Sequence, residues 1–379
     1  MKRLNHQPDY TLIILFGVIV VFGLIMLSSA TSVLGYDKFE DSYWYLKHQI
    51  MQGLLPGLFL FLVLSRVDYR LWKKFSAALL WFSLGLLVLV FIPGIGADYG
   101  KAKSWLNIGG FSLQPAEIVK LTFLVYLAAW LEKRKERVQT AAYGLVPFLV
   151  YLGLVGGLII LQPDIGTLFI IILMSLVVFY TAGARYKHLF YIMLAGVAGL
   201  AVLIKAAPYR LDRLSSFLDP SVDPQGIGYH INQALLAVGS GGWFGLGLGH
   251  SEQKFQYLPE VAGDSIFAVM AEELGFVLIL AVIVVFLWLF VRMMKVAKNA
   301  PDMFGNLIGV GVATWLVGQF FVNVAAMLRL MPLTGVPLPL ISYGGTAMMT
   351  AMAGIGIVVN ISKHTQQNMV VDASRVRRR

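Results

Sequence analysis

Residues 264–291 read DSIFAVMAEELGFVLILAVIVVFLWLFV. About 20 mostly apolar residues suffice to cross the core of a bilayer, and this run exceeds that. It opens on one carboxylate, Asp264, and carries two more, Glu272 and Glu273. At about 1.5 Å of rise per residue the glutamates lie roughly 12–13 Å along the helix from Asp264. Charges in a span are costly and mark function by default. The stretch therefore predicts a membrane helix with an ionisable group at its mouth. Two adjacent carboxylates cannot both face lipid, so Glu272 and Glu273 are expected to be paired inside the bundle.

Working outward, nine further apolar runs appear, at 10–30, 46–65, 75–95, 117–131, 144–162, 165–183, 188–206, 306–328 and 340–361. The chain of 379 residues is 58% hydrophobic and only 13% charged, against about a quarter charged in soluble domains. The expected fold is an all-α polytopic membrane protein with ten transmembrane helices. One domain spans 1–362, followed by a basic tail, 363–379, expected to be disordered and cytoplasmic. The first apolar run, Tyr10 to Leu27, exceeds the roughly 7–15 residues of a signal-peptide core, so it reads as an anchor.

Lys and Arg set the orientation. With the N-terminus inside, the inner segments hold Lys2 and Arg3, Arg66 to Lys74, Lys133 to Arg137, Arg185 and Lys187, Arg292 to Lys298, and the tail. They contain most of the 30 basic residues, and the acidic loop DKFED (37–41) falls outside. The net charge of +10 is thus a topology signal and no sign of nucleic acid. Both termini are expected in the cytoplasm, with one large extracytoplasmic loop at 207–263. Within it, HINQALLAVGSGGWFGLGLG (230–249) reads as a segment lying along the membrane surface or folding back over a cavity.

The backbone breakers gather on the outer side: KSWLNIGGFSLQPAE (103–117), QPDIGT (162–167), PYRLDRLSSFLDPSVDP (208–224), YLPEVAGDSIFAVMAEELG (257–275) and PLTGVPLPLISYGG (332–345). Irregular backbone is tolerated at membrane depth only where it is buried in protein or lines a cavity. One built site is expected there, out of reach of cytoplasmic nucleotides. Zero cysteines exclude disulfide and thiol chemistry. Neither a phosphate-binding G-x-x-x-x-G-K-[ST] loop nor H-E-x-x-H occurs, and His230 and His250 lack the company a zinc site needs.

Asp264 has two readings: a cap on the helix that follows, or a general base at the rim of a cavity. Glu117 and Lys120 are at i, i+3 on one helix face. They read as a self-neutralising pair, or as a pair whose lysine also reaches Asp264. Arg210 and Arg213 read as cations at a helix end, or as a clamp for a diphosphate.

Taken together the motifs resemble the SEDS family (shape, elongation, division and sporulation), the polytopic polymerases of bacterial peptidoglycan. The resemblance spans about residues 10–362. It rests on LSRVDYRLWKK, WLNIGGFSLQPAEIVKL, LQPDIGT, PYRLDRLSSFLDPSVDPQGIGYHINQ, GSGGWFGLGLGHSEQKFQYLPEVAGDSIFAVMAEELG and GVPLPLISYGG. The pattern is closer to the FtsW-like division branch than to the RodA-like elongation branch, although GVPLPLISYGG leans to the latter. The chain departs from the family at Ala262, Gly263 and Ser265 around the key aspartate, and at Ser104 before Trp105.

The resemblance implies that Asp264 takes the proton from an acceptor sugar hydroxyl as it attacks a lipid-diphosphate donor, with inversion. Both substrates would be lipid II or its undecaprenyl-diphosphate-linked glycan. Glu117, Lys120, Arg210 and Arg213 would bind substrate. So would Trp105, Gln114, Asp164, Glu260 and Ser342, which stand in the shared motifs. A divalent cation (Mg or Mn) would assist, with no nucleotide cofactor. The transpeptidase combination of S-x-x-K with K-T-G does not occur in the chain, so a class B penicillin-binding protein is the implied partner, along with other divisome or elongasome membrane proteins. The implied location is the bacterial cytoplasmic membrane with the site facing outward. Two other roles compete: a lipid II flippase, and a non-catalytic scaffold that activates a penicillin-binding protein.

Overall fold

Asp9 accepts a hydrogen bond from the Leu12 N–H and starts the first helix, α1 (Tyr10–Phe39). The structure, a computed structural model, describes residues 7–94, 96–99, 102–205 and 208–365. Lys2, Arg3 and the tail beyond 365 lie outside the described residues. After α1 come α2 (Trp44–Gln49), a π turn (Ile50–Leu54) and α3 (Leu55–Arg66), which together make one apolar rod. The short α4 (Arg70–Lys74) leads into α5 (Ser76–Leu89).

The next segment corrects the all-α expectation. Strands β1 (Gly96–Tyr99), β2 (Ala102–Ile108) and β3 (Phe111–Leu113) form an antiparallel sheet in that order. The turn between β2 and β3 is Gly109-Gly110, with φ of +58° and +84°. Two positive-φ residues match the twist of a tight hairpin, and glycine adopts them without strain. That turn is what makes LNIGGFSL a hairpin and not a helix start.

The remaining helices are α6 (Pro115–Arg134), α7 (Val146–Leu161), α8 (Ile165–Thr181), α9 (Tyr186–Lys205), α10 (Pro208–Leu218), α11 (Ile227–Ser240), α12 (Ile266–Lys298), α13 (Met303–Met327) and α14 (Gly345–Ser362). Among the described residues six helical segments are long and apolar enough to cross a membrane: Tyr10–Phe39, Trp44–Arg66, Ala141–Leu161, Ile266–Lys298, Met303–Met327 and Gly345–Ser362. Helices α5 and α8 are apolar but shorter. Helices α6 and α9 occupy the runs expected at 117–131 and 188–206 without joining the six. The run expected to begin at 340 starts as helix only at Gly345, because residues 339–341 form a turn with Leu340 at φ +65°.

Helix α13 is the buried axis of the bundle, packed against α6, α8, α12 and α14. Close approach is set by small residues, as membrane helices favour. A Cβ on Gly57 of α3 would meet Met352 Sδ of α14 at 2.6 Å, and one on Gly356 would meet the Phe61 carbonyl at 2.9 Å.

Helix α12 is broken. Gly275 lies at φ 73°, ψ 176° in its interior. The glycine-rich segment after α11 fills the break. Leu246 and Gly247 donate to the Glu272 and Glu273 carbonyls, at 2.9 and 3.0 Å. Phe276 and Val277 donate to the Gly242 and Trp243 carbonyls, at 2.9 and 3.1 Å. A broken membrane helix exposes backbone groups that water does not reach, and here the returning loop satisfies them. The segment therefore folds back into α12 instead of lying along a surface. The two glutamates anchor it: Glu272 accepts from Ser251 Oγ and Glu252 N, and Glu273 binds Lys254 Nζ at 2.8 Å and accepts from Ser29 Oγ of α1.

Candidate active site

Four helices begin at one end of the bundle around a cavity of about 940 Å³. Its lining includes Gln114 and Asp164, which cap α6 and α8, Gly344, which caps α14, and Asp264, just before α12. Each helix start presents free N–H groups and the positive end of its dipole, so this end of the cavity favours anions.

The turn that carries Asp264 is held by its backbone. Asn323 Nδ2 of α13 donates to the Asp264 carbonyl at 2.7 Å and to the Val336 carbonyl at 2.8 Å. Ser342 Oγ donates to the Gly263 carbonyl at 2.7 Å, and Tyr343 N to the Ala262 carbonyl at 2.8 Å. One oxygen of the carboxylate is left uncommitted. Ser265 occupies the N-cap of α12 without a side-chain cap bond, and the buried Oδ1 of Asp264 has no hydrogen-bond partner. The capping reading is thereby corrected.

Asp264 precedes the membrane-spanning segment, which starts at Ile266. Burial first, and then the nearby Glu260 carboxylate, push its pKa up to about 7, against the Ser265 hydroxyl and the Arg213 charge, which act downward. A carboxyl poised there exchanges protons readily at neutral pH. Glu260 lines the same cavity in a left-handed backbone conformation, φ 51°.

Arg213 lines the cavity, with Nη1 3.5 Å from the Leu333 carbonyl. Arg210 lies on α10, but its side chain is outside the described residues. Trp105 of β2 lines the cavity too. Its strand is tied down by the neighbouring Ser104, which donates to the Gln162 carbonyl at 2.9 Å. Asp164 accepts from Thr167 N and from Gln114 Nε2, both at 3.0 Å, so the two residues brace each other on the wall.

Three candidates sit elsewhere. Lys120 is fully buried; its Nζ is 2.7 Å from Glu117 and donates to Gln319 Oε1 at 2.8 Å, over the Trp315 ring. It does not reach Asp264. Glu117 and Ser342 border a separate void of about 10 Å³, room for roughly one water. The pair is linked through Gln319, which donates to the Pro337 carbonyl at 2.8 Å, and Pro337 lines the main cavity. Ser342 is a latch: it accepts from Leu338 N while donating to Gly263.

Two residues that the motifs did not single out belong to the site. His230 lines the cavity, and its Nε2 is 2.6 Å from Ser265 Oγ. Burial and then the Arg213 charge push the imidazole pKa down to about 4, so it is neutral near pH 7. Nothing in the sequence around His230 announced this. Asn323 had a signal: Gln319 and Asn323 are two amides at i, i+4 in an otherwise apolar run. Such groups in a span need partners. Among the described residues no group of three His, Cys, Asp or Glu gathers to hold a metal.

The family described as "Cell cycle protein", embracing FtsW, RodA and SpoVE, matches residues 9–367. The chain belongs to the FtsW/RodA/SpoVE family. It is 38% identical over 369 residues to stage V sporulation protein E of Bacillus subtilis, covering 97% of this chain and 100% of that protein. It is also 38% identical to a probable peptidoglycan glycosyltransferase FtsW of Trichlorobacter lovleyi, covering 96% of this chain and 95% of the relative.

Among solved structures this FtsW/RodA/SpoVE-family chain resembles a component of a complex described as "Structural coordination of polymerization and crosslinking by a peptidoglycan synthase complex". The TM-score is 0.79, with 28% identity over 95% of this chain and 99% of that one. It also resembles the rod shape determining protein RodA of Thermus thermophilus, with a TM-score of 0.69 and 28% identity over 95% of this chain and 98% of the other.

Proposed function

We propose that this chain is an inverting glycosyltransferase that polymerises lipid II into peptidoglycan strands. The observation that carries the reading is the unpartnered Oδ1 of Asp264, held at neutral-range pKa on the wall of a large cavity ringed by helix starts. The relatives named as peptidoglycan glycosyltransferases support the same assignment.

In one displacement, the acceptor sugar's 4-hydroxyl oxygen forms a bond to the donor's anomeric carbon. The bond from that carbon to the diphosphate oxygen breaks, and its electron pair leaves with the lipid diphosphate. The hydroxyl proton passes to Asp264. A donor bond that is α becomes a β product bond, so a single base suffices. The departing charge meets Arg213 and the starts of α6, α8, α12 and α14, dipoles already oriented before the reaction begins. Trp105, Gln114, Asp164 and Glu260 face the same space and would orient the sugars. Lys120, Glu117 and Ser342 act as positioning residues behind it, and Arg210 is placed with Arg213 at the diphosphate by sequence alone.

The cavity carries the carboxylates Asp37, Asp164, Glu260 and Asp264, but among the described residues no three acidic or histidine side chains gather to hold the divalent cation that the resemblance implies. No step is routed through it.

The reading places residues 1–362 as one ten-span domain in the bacterial cytoplasmic membrane. Both termini are inside, the basic tail included, and the cavity opens outward where lipid-linked sugars arrive without nucleotides. A class B penicillin-binding protein would cross-link the product, and the solved complex that joins polymerisation to crosslinking supports such a partner. Division is the favoured cellular task, given relatives named FtsW.

The test is direct. Purified protein with its transpeptidase partner receives labelled lipid II, and the glycan is sized. Polymer from the wild type that vanishes in Asp264→Ala supports the assignment. Polymer that persists in Asp264→Ala removes this base from the mechanism. Translocation in sealed vesicles with no polymer would replace the assignment with a flippase.

A further inference from the structure

The acidic run DKFED ends α1 beside a second cavity, of about 460 Å³. Its walls carry Ser32, Tyr36, Asp37, Ser42, Phe255 and Gln256. Asp37 and Gln256 also line the main cavity that holds Asp264. The two spaces meet at one contact, where Gln256 Nε2 donates to Asp37 Oδ2 at 2.6 Å.

Two features of this junction work against local stability. Asp37 is in the last turn of α1, where a carboxylate opposes the helix dipole. Gln256 holds φ +67°, a left-handed backbone that a non-glycine residue rarely adopts. Strain of this kind persists where the surroundings over-determine it, and it clusters at ligand clamps.

The lining fits one ligand class. Tyr36 and Phe255 are 63% and 54% exposed, so their rings are open to a ligand. Around them stand two serine hydroxyls, a carboxylate and a carboxamide. Aromatic faces cover the apolar face of a sugar ring, while short polar side chains take its hydroxyls as donors and acceptors. The volume falls inside the roughly 300–1,000 Å³ of ligand pockets. Among the described residues no cationic side chain lines this wall, so a neutral saccharide suits it and a diphosphate does not.

We propose that this second cavity is a saccharide subsite for the strand already made, entered from the reacting cavity across the Asp37–Gln256 contact. It deepens the glycosyltransferase reading and rests on it. When the contact opens, a carboxylate acceptor and a carboxamide donor-acceptor become available where the strand passes. A strand held here between additions stays on the enzyme, and one that is not held is released short.

The experiment uses the full chain with its transpeptidase partner and labelled lipid II. It reads both the initial rate of lipid II consumption and the length of the glycan. The variants are Asp37→Ala, Gln256→Ala and Tyr36→Ala, with Asp264→Ala as the inactive control. Gln256→Gly removes the amide and relieves the left-handed backbone, so it serves if Gln256→Ala fails to accumulate. Losing one hydrogen bond to a charged group speeds release about tenfold, and mean strand length should fall by a similar factor; in Tyr36→Ala, which lines the second cavity and not the reacting one, the initial rate should stay near wild type. Unchanged length in all variants overturns the subsite alone, since wild-type polymer would still stand. Loss of rate in parallel with length in Tyr36→Ala also overturns it, because Tyr36 would then serve the reacting cavity. A wild type that makes no polymer overturns the glycosyltransferase reading and the subsite together.

Discussion

Asn323 donates from near the C-terminal end of α13 to the backbone carbonyl of Asp264, 59 positions earlier in the chain, at 2.7 Å. The same amide nitrogen also holds the Val336 carbonyl. One buried side chain thus ties the backbone of the base to the adjoining segment at Val336, leaving Oδ1 of Asp264 without a hydrogen bond. Replacing Asn323 by Leu should leave both carbonyls unpaired, at about 1–3 kcal/mol. A lower melting temperature in detergent, together with slower polymerisation, is the expected result. A variant with wild-type activity would show that the turn holds itself.

Asp264→Asn should abolish turnover, at roughly 10²–10⁴-fold for a general base. Accumulation in the membrane should be unchanged, because Oδ1 makes no hydrogen bond on which folding relies. Quantitative blotting of membranes alongside the polymerisation assay checks both halves. Loss of the protein itself would make the residue structural.

The pH dependence of kcat/KM should follow the carboxylate. The ionised form accepts the proton, so the rate rises with pH through about 7, where Asp264 titrates, and then levels. Each unit below that point should cost about tenfold. Glu260 raises this pKa by like charge, so Glu260→Gln should move the rising limb to lower pH. Arg213 acts in the opposite sense, and Arg213→Leu should move the limb to higher pH. A limb that stays put in both variants would detach the profile from Asp264.

Lys120→Met should unfold or inactivate the protein, because it strands Glu117 as a buried charge at a cost of about 3–5 kcal/mol. The double variant with Glu117→Gln should recover much of the stability by thermal shift. Normal activity in Lys120→Met alone would show that the lysine only neutralises its neighbour. A double variant that is stable but slow would locate the remaining role in the Gln319–Pro337 link.

Gly275→Ala should disrupt the broken helix. A Cβ there would meet Gly245 N at 2.2 Å on a backbone at φ +73°. Loss of the folded protein from membranes is expected, and a stable Gly275→Ala protein would mean that the loop does not insert there.

Much of the architecture was legible in advance. The apolar runs announced membrane helices because hydropathy over about 20 residues is a local property. The hairpin was also written locally, in Gly109-Gly110 between alternating residues, but proximity to membrane runs hid it. The insertion of 241–249 into α12 was not legible. Its signal, Gly275 after two glutamates, acquires meaning only when Leu246 and Phe276 are seen to exchange hydrogen bonds with the opposite segment.

The site divides in the same way. The charges in the sequence nominated Asp264 and Arg213, the family resemblance added Glu260, Trp105, Gln114 and Asp164, and all six line one cavity. Of the two readings of Lys120, the pairing with Glu117 holds and the reach to Asp264 does not, Gln319 being the second partner; His230 and its contact with Ser265 were passed over. Residue type, hydropathy and the order of motifs determined the helical membrane class and the list of reactive groups, since each is a property of neighbouring residues. Which carboxylate is paired, which is held near pH 7 and which amide pins a turn depend on distances between groups far apart in the chain. Electrostatic and hydrogen-bond energies vary with those distances and with exclusion of water, and packing of the helices alone sets both.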